Sequence, residues 1–231
     1  PNRCPICRLG VCRESRAARG AKMRVRKLSL TLAAAAAVAA AGMVVAQDQE
    51  PIQPIAPPAQ INLGLVELGK KLYFDPRLSK SGFISCNSCH NLSMGGTDNI
   101  PTSIGDKWQQ GPINAPTVLN SSLNVAQFWD GRAADVEEQA KGPILNPIEM
   151  GMPDSAAVLV HLRESPAYVT AFRAAFPGER DPISYDNVGR AIGAFERGLV
   201  TPSPWDRFLA GDSTALTTDQ RKGLRAFLNA G

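Results

Sequence analysis

Cys86-Asn87-Ser88-Cys89-His90 sets two thiols three residues apart and places an imidazole directly after the second. Thiols one helical turn apart can each add to a vinyl group of haem, while the adjoining imidazole is carried beneath the iron as an axial ligand. The same C-x-x-C spacing also serves zinc sites and thiol redox centres. A zinc site would need further ligands, yet His161 is the only Cys or His after His90. A thioredoxin-like motif would sit at a strand-to-helix junction, whereas Gly82, Gly95 and Gly96 with their polar neighbours make these surroundings loop-rich. The pentapeptide therefore reads as an attachment site for one haem c, with Cys86 and Cys89 covalent and His90 the proximal ligand. It leaves the other face of the iron undecided, and that face separates an electron carrier from an enzyme.

Met23 opens a basic segment, Arg24, Arg26 and Lys27, followed by an Ala-rich apolar stretch from Leu28 to Val45 that closes on Val44-Val45-Ala46. This is the pattern of a secretory signal peptide over 23–46, cut before Gln47, and it predicts a periplasmic protein. Ala, Ser and Thr dilute the apolar stretch and no stop-transfer flank follows, which argues against a stable membrane anchor after cleavage. Residues 1–22, Arg-rich and carrying Cys4, Cys7 and Cys12, read as spurious sequence upstream of the initiator Met23. After Ala46 the only cysteines are the pair that haem would use, so no disulfide is expected there.

The formal charge of +4 divides unevenly. Nine of the 25 basic residues and one of the 21 acidic ones lie at or before Lys27, leaving sixteen basic against twenty acidic side chains in the rest. A mildly acidic exported region argues against nucleic-acid binding and favours a basic, soluble redox partner.

Several elements must position the motif. Residues 47–60, with Pro51, Pro54, Pro57 and Pro58, read as a Pro-rich extended arm, loosely held. Asn62 can cap a helix to about residue 74, with Leu65, Leu68 and Leu72 at helical spacing and Asp75-Pro76 as its stop. Residues 91–132 are dominated by Gly, Pro, Asn, Ser and Thr, a length of aperiodic chain that often wraps a cofactor. Helical periodicity returns over 133–141, 154–164, 166–176, 184–199 and 217–229. The fold class is mainly α: a cytochrome c-like haem domain with long loops over 61–200, and over 201–231 the first helix of a second such domain. Leu224, Phe227 and Leu228 give that last helix an apolar face that needs something to pack against.

Around the haem motif, LGKKLYFDPRLSKSGFISCNSCHNL, GPINAPTVLNSSLNVAQFWDGRA, EEQAKGPILNPIEMG and FERGLVTPSPWDRFLAGD resemble, in the same order, the bacterial di-haem cytochrome c peroxidases. The resemblance spans about Leu63 to Gly231. It implies a peroxidatic first haem domain, and a second haem domain, opening at ALTTDQRKGLRAFLNAG, that receives electrons from a small cytochrome c or copper protein. The sequence would then be a truncated product of a longer protein, with a second haem expected in the full-length form and a homodimer as its assembly. The substrate implied is hydrogen peroxide.

By the same resemblance, Cys86 and Cys89 match the thioether cysteines, His90 the proximal ligand, and Glu149 the distal acid/base. A carboxylate above an open iron face can take a proton from one peroxide oxygen and return it to the other. Gln139 matches a distal amide able to donate a hydrogen bond to peroxide. Trp129 matches an aromatic between the two haems, and Asn114 a residue at an interdomain calcium site. Without the family, the readings for these residues are a helix-capping Glu149, a surface Gln139, a core Trp129 and a loop-shaping Asn114.

One departure from the family stands out. Members of the family commonly carry His after TSIG, and that His occupies the sixth iron position until the other haem is reduced; this chain has Asp106 there. An iron face open without reductive activation follows, with Met94, Met150 and His161 as the substitutes to consider. Two other functions compete: a single-haem electron-transfer cytochrome with a Met sixth ligand, and a side-chain oxidase like the methylamine-utilisation relatives.

Overall fold

A computed structural model describes residues 53–56, 58, 60 and 62–230. The signal-peptide segment 23–46, residues 1–22 with their three cysteines, and the remainder of the Pro-rich arm lie outside the described residues.

Helix α1 (Leu63–Tyr73) begins where the Asn62 side chain accepts the Leu65 N–H at 3.1 Å, and stops at Phe74 ahead of Asp75-Pro76. A single turn, α2 (Cys86–Cys89), carries the haem motif. Next come α3 (Val136–Leu145), α4 (Ser155–Arg163), α5 (Pro166–Ala175) and α6 (Tyr185–Glu196). Asp135, Asp154 and Ser184 cap α3, α4 and α6 through their side chains, and Pro166 takes the first position of α5, where no N–H is needed. Two further helices, α7 (Pro204–Leu209) and α8 (Thr218–Ala230), complete a mainly helical unit that runs from Pro54.

α6 is the centre of the packing, with α1 and α3 laid against it. Its buried face, Val188, Ala191, Ile192 and Phe195, meets Leu68, Leu72 and Tyr73 of α1 and Ala140 and Ile144 of α3 in one apolar cluster. Glycine permits the close crossings: a Cβ at Gly69 would overlap the Ala191 carbonyl, and one at Gly193 would lie 2.7 Å from the Glu137 side chain. Glu137 of α3 then grips Arg197, just past α6, through two hydrogen bonds of 2.7 and 2.6 Å.

Residues 91–132 contain three isolated 3-10 turns, and no strand forms among the described residues, where pairing is confined to the bridges Ile104 with Gln110 and Gln127 with Ala133. The second bridge keeps Ala133 extended, so α3 starts at Val136, three residues later than its periodicity suggested. It also continues past Gly142-Pro143 to Leu145. The Pro-rich arm is tied down at Ile55, whose N–H donates to Asp206 Oδ1 at 2.7 Å. Hydrogen bonds from Ser203 first, and from Ile55 next, hold the Asp206 carboxyl at about 2. The arm is therefore docked at Ile55, in place of the loose attachment its composition suggested.

Candidate functional site

α2 presents Cys86 and Cys89 from the first and last positions of one turn, and its last hydrogen bond, His90 N–H to the Cys86 carbonyl at 2.9 Å, sets His90 directly beyond it. The His90 ring lies with Nδ1 3.0 Å from the Pro116 carbonyl. With Nδ1–H donating there, Nε2 carries the free lone pair, the arrangement a metal-ligating imidazole requires. From the core side, the Tyr73 hydroxyl donates to the His90 carbonyl at 2.5 Å. Tyr73 is fully buried, its ring edge-on to Phe195 of α6 at 5.2 Å, so the motif is tied directly to the helical core. The loop carrying Pro116 is clipped to the loop after His90 by Thr97 to Ala115, Thr117 to Gly95, and Val118 N–H to Gly96. Burial pushes both thiols up and the imidazole down, disfavouring charge at all three.

Glu149 sits in the turn that follows α3. Asn146 Nδ2 donates to its Oε1 at 2.8 Å. Burial raises the Glu149 carboxyl above the ordinary glutamate range, against the opposing pull of the Arg132 charge and the Asn146 hydrogen bond. The Glu149 charge in turn raises the Cys89 thiol, which brings the predicted acid/base and the attachment turn into one electrostatic neighbourhood. Arg132 lies over the Phe128 ring at 3.5 Å, and Phe128 packs against Gly142 of α3, where a Cβ would lie 3.1 Å from Cζ. Gln139 stands partly buried on α3, and its carboxamide makes no hydrogen bond to another described residue. Four residues on, Pro143 lacks the N–H that would normally reach the Gln139 carbonyl.

Trp129 and Asn114 belong together: Trp129 Nε1 donates to the Asn114 carbonyl at 2.9 Å, and both line a cavity of about 600 Å³ that also includes Pro116 and Thr97. Trp129 is exposed, not a core aromatic. The Asn114 amide nitrogen is committed to the Ile100 carbonyl at 2.7 Å. Among the described residues no three His, Cys, Asp or Glu side chains cluster as a metal site. His161 lines a different cavity with Arg77 and Lys80, its Nδ1 3.3 Å from the Arg77 carbonyl. Met150 is buried in the apolar core, while Met94 is exposed. Asp106 is almost completely buried, and its carboxylate accepts the Ser81 N–H at 3.0 Å.

Arg132, Asn146, Ser103 and Tyr73 were not singled out by sequence. Asn146 had a signal, three residues before Glu149 in a turn, where a side-chain amide can reach back. Tyr73 and Ser103 had none, because their partners lie 17 and 14 positions away.

The residues fit a covalently attached haem. Two free thiols on one turn and an imidazole with its outer nitrogen available form the donor set. The Ser103 hydroxyl is buried against the Cys89 thiol with no well-formed hydrogen bond, a polar atom short of a partner. Eight of the fourteen exposed large apolar side chains among the described residues fall between 94 and 129, more apolar surface than one loop region normally leaves to water.

A helical core carrying a C-x-x-C-H turn, with a half-buried carboxyl whose charge bears on the second thiol, is the arrangement of a c-type haem protein. The sequence profile of the di-haem cytochrome c peroxidase family matches residues 64–214, and the chain belongs to that family. It is 56% identical over 210 residues to the cytochrome c551 peroxidase of Nitrosomonas europaea, covering 90% of this chain and 61% of that protein. With the cytochrome c551 peroxidase of Pseudomonas aeruginosa it shares 57% identity over 168 residues, or 71% of this chain and 48% of the other. A solved structure of a MauG-like protein associated with microbial copper homeostasis superposes with a TM-score of 0.66 at 32% identity, over 76% of this chain and 53% of that one. The chain thus spans about half to three-fifths of the length of these proteins.

Proposed function

We propose that the chain is the peroxide-reducing part of a periplasmic cytochrome c peroxidase. Residues 61–200 form its haem domain, and Cys86, Cys89 and His90 hold haem c. The substrate is hydrogen peroxide, reduced to two waters with two protons and two electrons, the electrons coming from a small cytochrome c or copper protein. When bound, the haem supplies the redox centre at which peroxide takes up electrons. On this reading α8 belongs to a second haem domain, which would cover its exposed Phe227 and Leu228.

Glu149 moves the proton. Asn146 fixes Oε1, so Oε2 is the oxygen left to face peroxide, and burial makes the carboxylate basic enough to hold a proton in transit. The unpaired Gln139 carboxamide is free to donate a hydrogen bond to peroxide. Trp129, exposed and anchored through its indole N–H, assists electron passage toward the second haem. Asn114, with its amide nitrogen engaged, keeps Oδ1 for calcium. The observation that carries the reading is Glu149 itself: a half-buried carboxyl with a raised pKa whose charge bears on the Cys89 thiol. Relatives above 50% identity carry the peroxidase name, which supports peroxide reduction over side-chain oxidation. The burial of Met150 in the core argues against a Met-ligated electron carrier.

The test is rapid mixing of the haem-loaded ferric protein with hydrogen peroxide. Glu149→Gln should slow the reaction by roughly 10²–10⁴-fold while leaving imidazole affinity for the iron unchanged. A variant rate within twofold of the parent would reject Glu149 as the acid/base.

A further inference from the structure

Asp106 is the one carboxylate among the most deeply buried large side chains of the described residues, at 1% exposed. Burying a charge is costly unless hydrogen bonds or a counter-ion compensate. Asp75, also buried, has Arg77 at 2.6 Å and the Tyr168 hydroxyl. Among the described residues Asp106 has no ion pair; its carboxylate and its N–H each engage a backbone group of another segment.

Those segments converge on Glu149. Asp106 Oδ1 accepts the Ser81 N–H at 3.0 Å, while its own N–H donates to the Glu149 carbonyl at 2.7 Å. Beside it, Lys80 N–H donates to the Met150 carbonyl at 2.8 Å, and Gln109 Nε2 spans the Asp106 and Pro147 carbonyls at 3.1 and 2.8 Å. The approach is tight enough to require glycine on both sides. A Cβ at Gly105 would collide with the Ile148 and Glu149 backbone, and one at Gly151, where φ is +70°, would lie 3.1 Å from Asp106 Oδ2. Residues 79–82, 105–109 and 146–151 are thus stitched together, with the Asp106 side chain and N–H at the junction.

We propose that Asp106 is a positioning residue: its carboxylate and N–H clamp the loop around Ser81 to the Glu149 backbone, fixing the direction in which the Glu149 carboxyl points. The proposal rests on Glu149 as the acid/base. Its claim is distinct, because it concerns where that carboxyl is held and not whether it transfers protons.

The haem-loaded protein is compared with Asp106→Ala, Asp106→Asn and Glu149→Gln by three readouts: the rate with hydrogen peroxide against pH, imidazole affinity, and hydrogen exchange of backbone amides. Asp106→Ala should slow the peroxide reaction about tenfold or more, since a displacement near 1 Å can cost up to about 10²-fold. It should also shift the pH midpoint of that rate, speed exchange at Ser81 and over 146–151, and leave imidazole affinity unchanged. Asp106→Asn keeps an oxygen for the Ser81 N–H and should return the rate to within about threefold. An Asp106→Ala protein with parental exchange over 146–151 overturns the clamp, as does a loss of rate matched by a loss of imidazole binding. Should Asp106→Ala fail to take up haem, Gly151→Ala, which presses a methyl on the same carboxylate, is read in its place with the same criteria. If Glu149→Gln loses the rate and Asp106→Ala keeps it, the clamp alone fails. If Glu149→Gln keeps the rate, the acid/base reading fails, and exchange over 146–151 still decides whether the clamp exists.

Discussion

His90 hangs from the helical core, whereas Glu149 hangs from loops. Tyr73, at the end of α1 and buried against α6, reaches the His90 carbonyl, and the Pro116 carbonyl sets the ring. Glu149 is placed by the turn after α3, by Asn146 within that turn, and by backbone hydrogen bonds from Asp106 to residue 149 and from Lys80 to residue 150. The attachment half draws on packing that the whole fold must satisfy in any case. The carboxylate half draws on a few hydrogen bonds between loops. A rigid scaffold carrying adjustable loops is how one haem domain can be tuned toward different distal chemistry.

The sharpest way to break the contrast is at the attachment half. Replacing both Cys86 and Cys89 by Ala should abolish covalent haem completely, read as loss of the haem stain on denaturing gels, while no loop substitution among 79–82, 105–109 or 146–151 should do so. Next is the crossing beneath it. Gly69→Val forces a branched side chain into the Ala191 carbonyl, and thermal or urea unfolding should show a loss of about 3 kcal/mol. The same substitution at Gly82, which has open space around its Cβ but a φ of +74°, should cost less, about 1 kcal/mol, from backbone strain alone.

A pH-dependent effect sits at the end of α6. Burial first, and the neighbouring Glu137 charge second, raise the Glu196 carboxyl to about 8. A carboxyl whose folded pKa exceeds its unfolded value favours the fold when protonated. Its contribution is therefore full below about 4.5, the unfolded value, and is lost as pH rises to about 8. Between those limits the parent should lose on the order of 5 kcal/mol more stability than Glu196→Gln, and above them the two urea midpoints should run parallel. Because Glu196 also bears on Tyr73 and Cys86, this measurement shows how far the attachment half depends on an uncharged core.

Most of the attachment half was legible in the sequence because its determinants are local. The C-x-x-C-H spacing needs five residues, and Asn62, Asp154 and Ser184 cap helices only three residues ahead of the amides they bind. The start of α3 was misread because Ala133 is held extended by Gln127, and the docking of the arm was missed because Ile55 and Asp206 are 151 positions apart. The carboxylate half was legible only through family resemblance. Nothing in the periodicity around Glu149 says that it is half-buried, and nothing around Asp106 says that Ser81, 25 positions earlier, accounts for its burial. Asp106 in sequence reads as a replacement for an iron ligand; in the fold its carboxylate is engaged with a backbone amide.

In the proposed reaction Glu149 holds a proton at a pKa raised by burial. Its most direct test is the pH dependence of the reaction between the ferric haem-loaded protein and hydrogen peroxide. The rate should fall in acid with a midpoint clearly above the 4.5 of an ordinary glutamate, and that acid limb should vanish in Glu149→Gln. A flat profile, or the same acid limb surviving in Glu149→Gln, would contradict it.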